Sequence, residues 1–240
     1  MHYWGNLLIF DAPPAAGDRV RWEQRFAAEF ADQPRSVHRT FAWEVTPDGL
    51  GAAGEEFVAH GYDLDETVGL AATPDQVRPH PRANRDVRVY TPDPRPGADE
   101  AVWDAMVELQ VATRDADRFS AETHRAFCQT RLDDLRALFR IGHGSWYVAI
   151  AGDEVVGSCG VVVTDGRGRF QTVDTAPDHR RRGICSRLVV EAAHHAADRH
   201  GAGQLVIGAD PGYHALGIYE SLGFVPVETV AGVCLAPPGA

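Results

Sequence analysis

Phe170-Gln-Thr-Val-Asp-Thr-Ala-Pro-Asp-His-Arg-Arg-Arg-Gly-Ile-Cys-Ser-Arg-Leu188 reads as a strand that passes through a short polar turn into a helix opening with arginines and a glycine. Amides in the first turn of a helix have no intrahelical acceptor, and the aligned peptide dipoles place about half a positive charge at that end. An anion is the natural complement. Arg180, Arg181 and Arg182 oppose the dipole, so as a solvated patch they are a poor choice of residue unless an anion compensates them. The spacing excludes the common nucleotide loops, because neither Gly-x-x-x-x-Gly-Lys-Ser/Thr nor Gly-x-Gly-x-x-Gly occurs.

Arg180-x-x-Gly183-x-Cys185, three residues after Pro177, resembles the acetyl-CoA pyrophosphate loop of the GNAT N-acetyltransferase superfamily, Arg/Gln-x-x-Gly-x-Gly/Ala after a strand ending Val-x-Pro. Thr175 stands for the strand-terminal Val, and Cys185 for a Gly or Ala that lets backbone approach the pyrophosphate closely. Downstream, Ala215-Leu-Gly-Ile-Tyr219-Glu-Ser-Leu-Gly223-Phe224 is similar to the family's Ala-x-x-Leu-Tyr-x-x-x-Gly-Phe segment. The resemblance implies an α/β (α+β) GNAT fold, a mixed central sheet flanked by helices, and acetyl-CoA as acyl-donor cosubstrate. It places Arg180, Arg181, Arg182, Gly183, Ile184, Cys185 and Ser186 around the pyrophosphate, and the Val173 and Thr175 backbone along pantetheine. Tyr219 becomes the acid that protonates the departing thiolate. From ordinary pKa values that transfer is uphill by roughly 2 kcal/mol, and it becomes reasonable as thiolate charge develops.

An alkylammonium acceptor must lose a proton before it attacks, at a cost of roughly 4 to 5 kcal/mol at pH 7. Asp174, beside Thr175, is the carboxylate nearest the loop and the first candidate base. Strand alternation sets it on the face opposite Gln171 and Val173, and turn-capping beside Pro177 is the competing reading. Asp210 is the second candidate, equally explained by helix capping. His194 and His195 lie more than two helical turns past Gly183 and read as helix-surface residues, while His143 sits between two loop glycines.

The 240 residues, 44% of them hydrophobic, suffice for one large domain or two small ones. The net charge of -11 disfavours a nucleic-acid partner and mildly favours a cationic acceptor. All 23 basic side chains are arginine, which excludes a Schiff-base lysine. Cys128, Cys159, Cys185 and Cys234 show no metal-type pairing, so reduced thiols and no metal are expected. The opening Met-His-Tyr-Trp-Gly-Asn lacks a basic segment before an apolar run, and no apolar stretch approaches membrane-spanning length. The expectation is a cytoplasmic protein acting on a small-molecule or peptide amine, with no membrane partner and a homodimer admitted.

Pro79-His-Pro-Arg-Ala-Asn-Arg85 breaks helix and strand patterns, so residues 1–78, a 79–85 linker and an 86–240 GNAT domain are expected. From Asp86 on, the pattern predicts strand 87–90, helices near 100–114 and 121–140, and strands 146–151 and 155–163 about a Gly152-Asp153 hairpin turn. The strand at Phe170, the helix after Gly183, strand 205–207, the Tyr219 helix and strands 224–227 and 230–235 follow.

The first half contains an echo of the last. Gly61-Tyr-Asp-Leu-Asp-Glu-Thr-Val68 repeats Gly223-Phe-Val-Pro-Val-Glu-Thr-Val230 at an offset of 162 residues, and Asn6–Pro14 resembles the strand and turn ending at Pro177 at an offset of 163. Residues 1 to about 75 therefore read as a partial, degenerate copy of the GNAT C-terminal half. In that alignment Val20 and Trp22 fall on Gly183 and Cys185, and Phe57 falls on Tyr219, so the copy has lost its chemistry. The function implied is acetyl-CoA-dependent N-acetyl transfer. The alternative is a catalytically silent acyl-CoA-binding sensor or assembly module, favoured by the absence of an obvious base.

Overall fold

The computed structural model describes residues 6–236 apart from Arg35, Asp48 and Arg118. In chain order the elements are β1 (Leu8–Phe10), α1 (Asp18–Glu29), β2 (Arg39–Glu44), α2 (Ala53–Glu56), β3 (Asp63–Ala72), β4 (Arg88–Tyr90), α3 (Glu100–Thr113) and α4 (Ala121–Arg140). Then follow β5 (Gly144–Ala151), β6 (Glu154–Thr164), β7 (Arg167–Thr175), α5 (Ile184–His200), β8 (Gln204–Ala209), α6 (Ala215–Ser221) and β9 (Val225–Leu235). The two strands expected at the end of the chain are thus one.

Two compact units interleave in sequence: Met1–Gly69 with Ala209–Tyr213 and Pro226–Ala240, and Leu70–Gly208 with His214–Val225. The division therefore does not follow the expected boundary at 79–85. That segment lies within the second unit and, as shown below, is bonded to it.

In the second unit, β4, β5, β6 and β7 run antiparallel in sequence order, and β8 joins β7 in parallel. Trp103, Met106, Val107 and Val111 of α3 recur at helical spacing, as do Cys128, Leu132, Leu135 and Phe139 of α4; both stripes pack on Trp146, Val148 and Ile150 of β5. Alternation turns Tyr147 to the other face, where its hydroxyl meets Nδ1 of His195 in α5 at 2.9 Å. The helix α5 and the α3/α4 pair therefore cover opposite faces of the strands.

The first unit is an aromatic core. β1 runs parallel to β2, which pairs antiparallel with β9. Trp22 and Phe26 of α1 pack with Phe41, Trp43, Phe57, Tyr62 and Val233, and Trp22 stacks on Phe10 with ring centroids 3.8 Å apart.

The internal repeat is visible in the hydrogen bonds. Phe57 O accepts from His60 N at 2.9 Å and Tyr62 N at 3.2 Å, and Gly61 N donates to Val58 O at 3.0 Å. At the positions 162 further on, Tyr219 O accepts from Leu222 N at 3.0 Å and Phe224 N at 3.2 Å, and Gly223 N donates to Glu220 O at 3.0 Å. Each copy also has a parallel strand pair and a helix entered through a left-handed glycine, Gly17 at φ 85° and Gly183 at φ 73°. This corrects the ungapped alignment: Gly17, not Val20, corresponds to Gly183, and Trp22 is a core residue one turn into α1. The loop before α1 is shorter, and it has no counterpart of the three arginines.

The copy's helix terminus is filled from within. Oε1 of Glu56 accepts from Gly17 N at 2.9 Å and Oε2 from Arg19 N at 3.4 Å, so a carboxylate of the chain sits on the amides that an external anion would use. Glu56→Ala should lower stability by about 1 kcal/mol, read as a reduced urea midpoint at constant slope. An unchanged midpoint would show that the carboxylate contributes nothing there.

Candidate functional site

β7 and β8 pair only from Arg167/Gln204 to Arg169/Val206, and then part. A register shift between Cys159 and Val161 on β6 accompanies the parting, while β7 stays paired to β6 as far as Thr175. Ala176 N donates to Val156 O of β6 at 2.9 Å. The Thr175 carbonyl, on the other side of the same peptide plane, therefore faces the gap left by β8, and alternation turns the Val173 backbone the same way. Nε of Arg180 meets the Thr175 carbonyl at 3.2 Å.

Beyond Thr175 the chain makes a 3-10 turn over Pro177–His179, enters the left-handed region at Arg181 (φ 58°) and again at Gly183, and starts α5. No side chain caps α5. The amides of Arg181, Arg182, Gly183, Ile184, Cys185 and Ser186 have no acceptor among the described residues. Pro177, Asp178, Arg180, Arg181 and Arg182 line an open depression of about 650 Å³ beside them. Arg181 and Arg182 are exposed and have no carboxylate within ion-pair distance among the described residues. These free donors, the cations and the unpaired strand edge fit a ligand with a phosphate group and an extended amide-bearing arm, which is the chemistry of coenzyme A.

Gly183 has a reason that the sequence did not show. A Cβ there would lie 2.0 Å from the carbonyl oxygen of Arg82 and 2.8 Å from the amide of Asn84. Asn84 donates from its backbone to Gly183 O and from its side chain to Arg182 O, both at 3.0 Å. The glycine is required by close approach of the chain's own 82–84 segment. Because that segment takes the loop's carbonyls, its amides remain available.

Asp174 is not a turn cap. Its Oδ1 accepts from the Thr113 hydroxyl of α3 at 3.1 Å, but that one proton also lies within reach of Leu109 O at 3.1 Å and Gln110 O at 3.2 Å. Oδ2 is buried without a partner among the described residues. Burial pushes the carboxyl up to about 6, against the lowering effects of Thr113, Arg131 and Arg180. Ser158, directly opposite Asp174 in the β6–β7 register, and Gln110, one turn before Thr113, also have buried polar atoms without partners. Sequence reasoning did not find these two; an isolated Ser in a strand carries no signal until the register sets it opposite the carboxylate, and a Gln in a helix carries none until the helix is seen to bring Thr113, one turn on, to Asp174. Cys185 is half-buried, and desolvation pushes its thiol up to about 12, so it holds its proton at neutral pH.

Tyr219 is buried in α6, its ring edge-on to Phe224, which is edge-on to Phe170 of β7. The other candidates have structural partners. Asp210 Oδ1 accepts from Gly212 N at 2.7 Å in a turn; His194 Nε2 contacts Val77 O at 3.2 Å, and His143 Nδ1 contacts Val163 O at 3.1 Å. Among the described residues there is no cluster able to hold a metal ion and no helix long and apolar enough to cross a membrane.

Residues 142–226 match the model of the acetyltransferase (GNAT) domain. No curated protein matches the chain. A functionally unknown conserved protein from Staphylococcus epidermidis aligns over 94% of this chain and 82% of its own, with TM-score 0.68 and 13% identity. A GCN5-related N-acetyltransferase from Sphaerobacter thermophilus aligns over 90% and 66%, with TM-score 0.59 and 21% identity. A tandem GNAT protein from the clavulanic acid biosynthesis pathway aligns over 90% and 70%, with TM-score 0.62 and 17% identity. At these identities the likeness is one of fold: the chain has the GNAT fold, with its GNAT domain match within the loop-bearing half.

Two outcomes follow from the geometry. Gly183→Ala should lose more than about 1 kcal/mol of stability with no ligand added, because the left-handed φ and the Arg82 carbonyl both oppose the methyl group; chemical denaturation measures it. For Asp174, the native carboxyl holds its proton to higher pH than the unfolded one, so unfolding between about pH 4 and 6 releases a proton and stability falls as pH rises through that window. Asp174→Asn should therefore be more stable than wild type above pH 6, by up to roughly 3 kcal/mol, and nearly equal to it near pH 4.

Proposed function

We propose that this protein is an acetyl-CoA-dependent N-acetyltransferase in which an amine attacks the thioester directly. The observation that carries the reading is the conjunction of partnerless amides from Arg181 to Ser186 with the edge of β7 at Val173 and Thr175, which has no strand beside it and only Arg180 Nε at the Thr175 carbonyl. The first supports binding of the pyrophosphate and the second supports strand-like pairing with the pantetheine amides. Arg180, Arg181 and Arg182 add cations around Gly183, Ile184, Cys185 and Ser186. The bound cosubstrate supplies an activated acyl group.

Asp174 is the base of this reading. A carboxyl titrating near 6 is ionised at neutral pH, yet is a stronger acceptor than an ordinary aspartate, and its unpartnered Oδ2 takes the ammonium proton directly or through one water held by Ser158 and Gln110. Tyr219 is the acid, giving its hydroxyl proton to the thiolate. Holding the two substrates together supplies much of the remaining rate. Loss of the anion site in the first unit to Glu56 leaves one cosubstrate site per chain, in the second unit.

The alternative of a silent acyl-CoA sensor rests on the lack of a base, and the environment of Asp174 weighs against it. Calorimetric titration should give one equivalent of acetyl-CoA per chain, and an amine panel should show acetyl transfer. Tyr219→Phe keeps the ring and should lower kcat by about a hundredfold to ten-thousandfold with little change in acetyl-CoA affinity. One equivalent bound with no transfer to any amine would convert the reading to the sensor, and no binding would remove both.

A further inference from the structure

The α4 face opposite β7 carries a cation that the reaction above does not use. Nη1 of Arg131 donates to the Thr172 hydroxyl at 2.8 Å and Nη2 to Gln171 Oε1 at 3.3 Å. Both acceptors are neutral, and no carboxylate lies within ion-pair distance of this guanidinium among the described residues. Burial lowers the Arg131 guanidinium from its ordinary value, with Arg169 acting the same way and Cys128 and Asp174 opposing. A partly buried arginine without a counter-ion is unusual, because guanidinium groups withdrawn from water are ordinarily paired with a carboxylate or phosphate. By contrast Arg136, one turn and a half further along α4, has a bidentate partner in Glu100 at 2.9 and 3.0 Å.

Thr172, which holds Arg131, lies two residues before Asp174 on the same side of β7, a separation of about 7 Å along a strand. The partnerless Oδ2 of Asp174 and the partnerless charge of Arg131 are thus an acceptor and a cation set one strand repeat apart. We propose that the acceptor is an amine that also carries a carboxylate, a free amino acid, with its carboxylate on Arg131 and its amine at Asp174. This rests on the N-acetyltransferase reading and deepens it. The guanidinium has five N–H donors in a planar fork, of which two are engaged within the chain, so it can receive a carboxylate without giving up Thr172 and Gln171. Arg131 is here a specificity residue: it carries no transferred proton, though its charge helps keep the Asp174 carboxyl from rising further.

The test compares amino acids with their own primary amides, which keep the amine and lose the charge. Wild type should favour the carboxylate member of each pair by roughly tenfold to a hundredfold in kcat/KM. Arg131→Met, similar in length and uncharged, should bring the acid-to-amide ratio of kcat/KM to about one, whatever common change in rate the loss of a cation near Asp174 brings to both members of a pair, and Arg131→Lys should restore part of the ratio. Acetyl-CoA titration of the same variants shows whether they are folded and bind the cosubstrate. Should Arg131→Met not fold, wild type and Arg131→Lys decide the matter alone, since Lys keeps the charge and loses the fork. Equal rates on acids and amides in wild type overturn the proposal, and so does an equal loss on both members of a pair in a variant that still binds acetyl-CoA. A protein that binds acetyl-CoA and acetylates only amines without a carboxylate also overturns it while leaving the transferase standing. Binding of acetyl-CoA without transfer to any member of the pairs overturns the proposal, and the absence of transfer to every amine of the wider panel overturns the transferase reading with it.

Discussion

The parting of β7 from β8 after Arg169 governs the second unit. A parallel pair that ran on would satisfy the backbone of Val173 and Thr175 and leave no edge for a ligand. Because the pair opens, main-chain donors and acceptors face a gap at the same place where the chain turns into α5 with six partnerless amides. Backbone groups withdrawn from water are nearly always paired, so an open strand edge continuous with an open helix start is the arrangement on which the proposed cosubstrate site rests. The β6 register shift and the left-handed residues at Arg181 and Gly183 are the local devices that hold the opening.

Most of the elements of the second unit were legible because their signals are local. The apolar spacing along α3 and α4, the alternation in β5 and the Gly152-Asp153 turn each specify an element without help from distant residues, and the observed bounds differ from the expected ones by only a few residues. The Arg-x-x-Gly loop was legible for the same reason. What the sequence could not show was long-range. Nothing in Arg82-Ala-Asn84 announces that it lies against Gly183, so a segment bonded to the loop read as a linker. Nothing in Ser158 or Gln110 indicates a polar setting for Asp174, which arises from strand register and helix docking. The place of Asp174 beside the loop is legible in the sequence, but the burial that surrounds it comes from long-range packing.

The repeat shows the same division. Its echo of sequence at 61–68 and 223–230 is matched by three backbone hydrogen bonds at corresponding positions, so the local turn has persisted while the side chain at its start changed from a tyrosine in one copy to a phenylalanine in the other. An ungapped comparison, however, placed the wrong residues at the head of α1. A loop that differs in length shifts everything behind it, and only the left-handed glycine at each helix start restores the correspondence.

Glu56 gives that loss a particular character. The first copy keeps a helix start with donors of the right kind, and what has changed is occupancy. A carboxylate anchored by the fold competes with free anions as an intramolecular ligand, at an effective concentration of millimolar or more, and does so permanently. A phosphate from solution would have to displace it without the arginines that assist at the other helix. The start of α1 is therefore held by an intramolecular ligand, where the corresponding amides of α5 have no acceptor among the described residues.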